Sequence, residues 1–263
     1  MYKKVNQLKM GTLLSYITIA IQNLIAIIYT PIMLRLLGQN EYGLYQLGSS
    51  AVSYLGLLSF GFGSSYVKFY FEYKVQKNEE GIRKLNSIFL LVYLGISFIS
   101  VIAGGGMIAS ADILFKGSLS ASDIAQVRVL MLILVISLAL TFPNIIFDCY
   151  ITAHERYIFQ RIMLIAVTVL NPFITLPLLL MGYRSTALVV VNLILSVFRT
   201  GMNIYYCIFK LHMKFQFRGM EVRVLKNVGT FSLYIFLNEI ASQINWNVDK
   251  IILGAVQGAS VVA

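Results

Sequence analysis

Residues able to do chemistry are sparse in this 263-residue chain, and most sit inside long apolar runs. Arg199 lies in Val197-Phe198-Arg199-Thr200, near the middle of one such run. A guanidinium grips phosphate through two parallel hydrogen bonds, so a fixed charge facing a wet cavity would suit a phosphate-bearing substrate. The same group can instead be satisfied by carbonyls or by a carboxylate on a neighbouring helix, and both readings stand. Gln22 and Asn23 form a polar pair in the first run, and Asn171 precedes Pro172 in the fifth. The seventh run is the most polar, with Asn238, Glu239, Gln243, Asn245, Asn247, Asp249 and Lys250 around Trp246. Glu239, Gln243 and Trp246 are spaced i, i+4, i+7 and share a helical face. That pattern predicts a cavity lining or an interhelical hydrogen-bonding face, and Glu239 is the candidate for ion or proton coupling. Asp249 and Lys250 read as an interfacial ion pair. In the first six runs the charge near mid-membrane is read as basic only.

Several catalytic chemistries find no support. His154 and His212 are far apart in sequence and without a ligand-spaced partner, so they read as solvated interfacial residues and no metal site is expected. Cys149 and Cys207 read as small apolar side chains packed near helix ends. No phosphate-cradling loop ending in Gly-Lys-Ser/Thr occurs, which argues against an ATP-driven pump. Gly104-Gly105-Gly106 reads as close packing or a bent helix end. No catalytic residue and no cofactor is expected, and no connection is long enough for a soluble catalytic domain.

The elements that must position these groups follow from composition. Apolar residues make up 58% of the chain and charged residues 12%, whereas soluble domains average roughly 45–50% and about 25%. A polytopic membrane protein results, its length counted in spans of about 20 residues. The runs fall at about Gly11–Leu34, Leu44–Val67, Ser87–Ala109, Arg128–Tyr150, Ile158–Met181, Ala187–Phe209 and Val228–Leu253. The first is too long for a cleaved signal and no small-residue cleavage site follows. Strands of a barrel would alternate, and Val129-Leu-Met-Leu-Ile-Leu-Val-Ile136 does not. The fold class is therefore all-α, a transmembrane helix bundle.

Charge sets the orientation. The segments Met1–Met10, Lys68–Asn86, Thr152–Arg161 and Lys210–Asn227 hold three, five, two and five basic residues, fifteen of the 21 in the chain. The positive-inside rule then places the N-terminus in the cytoplasm. A net charge of +10 spread over four loops suits insertion and anionic lipids, so no nucleic-acid partner is expected. Pro31, Pro143, Pro172 and Pro177 each remove a backbone hydrogen bond and mark candidate kinks in three spans. The small-residue stripe Gly48, Ser49, Val52, Ser53, Gly56, Ser59, Gly63 reads as close packing in the second span.

The string Met33-Leu-Arg-Leu-Leu-Gly-Gln-Asn-Glu-Tyr-Gly-Leu-Tyr45, with Tyr54-Leu-Gly-Leu-Leu-Ser-Phe-Gly-Phe-Gly63, resembles the first two helices of bacterial polysaccharide and O-antigen flippases. These share a superfamily with MATE-type drug exporters and lipid II flippases. The fifth span, Met181-Gly-Tyr183 and the sixth span also look like that family. Two departures are Ser59, where many members have aspartate, and Arg184-Ser-Thr186, where a Gly/Ala-rich turn is usual. Gly11-Thr-Leu-Leu-Ser-Tyr-Ile17 is echoed by Gly229-Thr-Phe-Ser-Leu-Tyr-Ile235, which makes span seven a second span one. The expected organisation is residues 1–227 as a six-helix bundle and 228–263 as the start of a second, truncated one.

The resemblance implies a carrier of polyprenyl-pyrophosphate-linked oligosaccharide in the cytoplasmic membrane, working by alternating access with no cofactor. Arg199 would contact the pyrophosphate, and Gln22, Asn23, Asn171 and Gln243 the sugar. Membrane lipids and other polysaccharide-assembly proteins are the expected partners. A cation-coupled multidrug exporter and a membrane scaffold for glycan assembly are the alternatives.

Overall fold

The computed structural model describes residues 6–59, 61–114, 120–219, 229–230, 232 and 234–237. Helix α1 (Gln7–Leu37) starts at Asn6, whose side chain accepts the Lys9 backbone N–H at 3.2 Å. It ends at Gly38, whose φ of 78° turns the chain at once into α2 (Gln39–Ser53). A 3-10 segment (Tyr54–Ser59) leads to α3 (Phe62–Val75). Helix α4 (Glu79–Ala109) follows, capped by the Asn78 side chain on the Gly81 N–H at 2.8 Å. After the short α5 (Ala111–Leu114), Ser120 and Asp123 form a reciprocal capping box that starts α6 (Ala121–Ala153). Then come α7 (Tyr157–Leu180) and α8 (Ser185–Tyr205), the latter closing in a π turn at Tyr206–Lys210.

Five of these segments are long and apolar enough to cross a membrane: Gln7–Leu37, Glu79–Ala109, Ala121–Ala153, Tyr157–Leu180 and Ser185–Lys210. The second span departs from the expected single helix over Leu44–Val67. Gly61 has φ of 65°, a left-handed value that an α-helix cannot pass through, so the crossing is divided between α2, the 3-10 turn and α3. Gly63 also packs tightly, since a Cβ there would stand 3.1 Å from the Cys149 sulfur of α6. Of the small-residue stripe, Gly63 packs closely on α6 and Gly48 makes ordinary contact with it, whereas Gly56 faces open space. The seventh span lies almost wholly outside the described residues. From its start, the buried Ser232 hydroxyl meets that of Ser65 in α3 at 2.6 Å.

Helix α6 is the central post, packing against α2, α3, α4 and α8, while α1 lies outermost on α7 and α2. Short turns between long helices alternate their direction. One end of the bundle therefore gathers the start of α1, the α3–α4 and α6–α7 turns and the segment after α8. This basic end holds Lys74, Lys77, Arg83, Lys84, Arg156, Arg161, Lys210 and Lys214. Toward it the core is aromatic (Tyr66, Phe89, Tyr93, Phe142, Phe147), whereas toward the far end it is aliphatic (Leu44, Val127, Leu130, Met131, Val135). At Gly104 a Cβ would lie 2.6 Å from both Val135 methyl carbons, so this glycine brings α4 onto α6. Its neighbours Gly105 and Gly106 face open space. Outward faces carry large apolar side chains such as Ile27, Phe98, Ile102 and Phe173, as hydrocarbon contact requires.

Candidate functional site

Two polar pairs at helical spacing meet inside the bundle. Helix α6 carries Asn144 and Asp148, and α8 carries Arg199 and Asn203. Arg199 Nη2 donates to Asp148 Oδ2 at 2.9 Å. Asn203 Nδ2 donates to Asp148 Oδ1 and to Asn144 Oδ1, both at 2.9 Å, which uses its two hydrogens. Asn144 Nδ2 completes the network on Asp148 Oδ2 at 3.2 Å. Both asparagines are buried, whereas the Arg199 side chain keeps 38% and that of Asp148 24% of its exposure. The two asparagines anchor the carboxylate, and the ion pair opens on one side.

This corrects the expectation that the mid-membrane charge of the first six spans is basic only. Arg199 faces a carboxylate, so the pair is electroneutral as a unit. One guanidinium nitrogen is engaged and four further N–H donors remain in a partly exposed fork. A phosphate could therefore approach Arg199, in competition with Asp148. The sequence signal for the missed carboxylate was present, since Asn144/Asp148 and Arg199/Asn203 are two i, i+4 polar pairs in apolar helices.

The other expected site residues are scattered. Gln22 and Asn23 are exposed on α1, and among the described residues no hydrogen bond joins them to the Arg199 network. Asn171 Nδ2 donates to Asn192 Oδ1 at 2.7 Å, tying α7 to α8. Glu239 and Gln243 lie outside the described residues. Pro31, Pro143, Pro172 and Pro177 each lie within a continuous helix. Pro143 leaves the Ala139 carbonyl without its usual partner, and Ser97 of α4 donates to it at 2.7 Å. A neighbouring helix thus compensates the proline next to Asn144.

A second carboxylate organises the far end. Glu41, in the first turn of α2, belongs to the Met33–Tyr45 string and received no role from the sequence. Its Oε2 accepts from Gln126 Nε2 of α6 at 2.5 Å and from the Ser185 hydroxyl of α8 at 2.7 Å. The Ser185 N–H approaches the same oxygen at 3.4 Å, and Arg184 reaches Oε1 at 3.3 Å. The Arg184–Ser185 turn, a departure from the family pattern, is therefore what receives Glu41.

At the basic end His154 lies beside Tyr150 and Tyr70. Its Nδ1 is 2.8 Å from the Tyr150 carbonyl, which can only accept, so Nδ1 carries the proton. Nε2 then accepts from the Tyr70 hydroxyl at 3.1 Å. Burial pulls the imidazole below its ordinary 6.5; the Tyr150 carbonyl opposes this, Lys74 and Arg156 add to it, and Glu79 opposes it. The unfolded chain therefore takes up this proton first as pH falls through about 6.5. Stability contributed by neutral His154 is complete above that pH and is lost as pH falls toward the lower folded value. We expect Tm to decrease from about pH 7.5 to about pH 5.5, and to decrease less in His154→Gln. Thermal unfolding in detergent across that range provides the check.

The described residues thus form a helical membrane bundle with a polar network between two spans. The chain belongs to the polysaccharide biosynthesis protein family, whose model matches residues 8–263. No curated protein matches it. Its fold is similar to that of an outward-facing multidrug resistance MATE family transporter of the MOP superfamily, with a TM-score of 0.75 at 14% identity over 97% of this chain. A MATE solved in complex with MaD3S gives a TM-score of 0.73, also at 14% identity over 97% of this chain. A MOP superfamily transporter from Pyrococcus furiosus, whose binding pocket is described as reversed in polarity, gives 0.66 at 13% identity over 96%. The chain spans 57%, 58% and 57% of those three proteins. The family match and the five apolar spans identify it as a multi-pass membrane protein, with the fold that those three proteins share.

Proposed function

We infer that the intact protein moves a polyprenyl-pyrophosphate-linked oligosaccharide across the cytoplasmic membrane by alternating access. The family match over residues 8–263 carries this reading. The basic end is the cytoplasmic one, as the positive-inside bias requires. Residues 1–227 are the first bundle and 228–263 begin a second, so the substrate path runs between two bundles. Gln22 and Asn23, exposed at mid-depth on α1, face that path rather than hydrocarbon, where their amides would lack partners. They take the sugar, together with Gln243 and Asn171, the latter after releasing Asn192. Arg199 takes the pyrophosphate through its open side. Glu239 couples ion or proton movement, and the four prolines supply the bending.

Arg199→Ala and Arg199→Gln in the full-length protein are expected to reduce surface polysaccharide at unchanged protein level. Unchanged surface polysaccharide would remove the pyrophosphate role. Asp148 favours a second reading, cation-coupled export of drugs, because it places a carboxylate within a span. Arg199 matches its charge and is the more exposed member of the pair, with donors unengaged, which favours the anionic substrate. Drug-efflux assays separate the two: the first reading expects no resistance from expression of the protein.

A further inference from the structure

A cavity of about 520 Å³ opens at the basic end, between α3, the start of α4, the end of α6 and the segment after α8. Its charged lining is Lys74, Arg83 and Lys214 against a single carboxylate, Glu79, with His154 and His212 completing it. His154 and His212 read as unrelated solvated residues in the sequence, and the fold brings both to the lining of this cavity. Among the described residues none of the three cations forms an ion pair. Arg83 Nε is turned to the Glu79 backbone carbonyl at 3.3 Å, and the Lys74 ammonium rests 5.5 Å from the Phe71 ring centroid.

The wall bearing His212 and Lys214 is built rather than loose. Asn86, buried in α4, donates to the Lys214 carbonyl at 2.8 Å and accepts the Tyr66 hydroxyl at 2.7 Å. The Gln216 N–H binds the Ser87 hydroxyl at 2.7 Å. His212 is held at φ of 53°, a backbone conformation that side chains seldom adopt. This strap fixes the Lys214 backbone at the pocket that Lys74 and Arg83 also line, so three like charges share one volume and repel one another unless an anion occupies it. Phosphate is the chemistry that meets them best: Arg83 offers a planar fork and the lysines point charges. The volume lies within the range of small-ligand sites, about 300–1,000 Å³, and so admits a phosphate with a group attached.

We propose that this pocket is a phosphate-binding site, distinct from the Arg199 network, for a phosphate ester or pyrophosphate group at the basic end of the bundle. The ligand is either a lipid headgroup or a soluble phosphate. The assignment stands on the pocket alone and does not depend on which substrate the protein transports.

The test uses the protein in nanodiscs. In phosphatidylcholine discs, inorganic pyrophosphate is titrated and followed by calorimetry and by thermal shift. In a second set, phosphatidic acid replaces part of the lipid. Arg83→Gln/Lys214→Gln is expected to weaken whichever response the wild type shows by at least tenfold. Glu79→Gln, which removes the one carboxylate of the lining, is expected to strengthen it a few-fold, an effect that misfolding would not produce. Lys9→Gln, at the same end but outside the pocket, should leave it unchanged. A pyrophosphate response assigns the site to soluble phosphate, and a response only to phosphatidic acid assigns it to a headgroup. A wild type that responds to neither probe would overturn the proposal, as would variants that all respond like the wild type.

Discussion

Asp148→Ala is expected to lower the stability of the bundle by about 2–4 kcal/mol, more than any single exposed substitution. The loss has three parts, all visible in the geometry. Arg199 loses its carboxylate, Asn203 loses one of two acceptors, and Asn144 loses the acceptor for its amide. The two asparagines are buried, so their amides cannot turn to water. Partial exposure of the ion pair keeps the effect below that of a fully buried pair. Asp148→Asn/Arg199→Gln removes both charges while keeping polar groups of similar shape, and should lie closer to wild type than either single change. Thermal unfolding of the four proteins in detergent measures the coupling as a double-mutant cycle. Additive effects would show that the two side chains do not depend on each other.

Glu41→Ala should act on the other end by a comparable amount, about 2–3 kcal/mol, given that charge-assisted hydrogen bonds contribute about 1.5–3 kcal/mol. It leaves Gln126 and Ser185 with only each other, at 2.8 Å, and frees Arg184. Glu41→Gln keeps one acceptor but loses the charge and the favourable placement in the first turn of α2, so an intermediate effect is expected. Cross-linking of cysteines placed at Asn40 and Thr186 reports whether the starts of α2 and α8 separate. An unchanged Tm and an unchanged cross-linking rate in Glu41→Ala would show that the carboxylate does not clamp this end.

Much of the scaffold could be read from the sequence, because long apolar runs and hydrogen-bond closure leave only helices. The run Arg128–Tyr150 is the apolar centre of α6, and Ile158–Met181 differs from α7 by a residue at each end. The second run was misread because hydropathy sees composition and not backbone sign. Nothing in Ser59-Phe60-Gly61-Phe62-Gly63 is polar enough to end a span, yet Gly61 turns left-handed. Arg199 was legible as a charge needing a reason, and its satisfaction by a carboxylate on a neighbouring helix was one of the two readings. Asp148 lies close to the end of its run, where composition alone does not mark a carboxylate as engaged inside the bundle. Pairing between α6 and α8 is a tertiary fact, and so is the presence of His154 and His212 in the lining of one cavity. Glu41 stands in the most specific string of the chain, but only the positions of its donors give it a purpose.

The central claim is that the intact protein moves a lipid-linked oligosaccharide and that Arg199 serves its pyrophosphate. Proteoliposomes containing the full-length protein and a fluorescent polyprenyl-pyrophosphate oligosaccharide test it most directly, with the label in the outer leaflet quenched or enzymatically trimmed over time. The account predicts protein-dependent movement between leaflets that slows at least tenfold in Arg199→Gln, while Lys9→Gln keeps the wild-type rate. Movement no faster than in protein-free vesicles, or equal rates in wild type and Arg199→Gln, would contradict it.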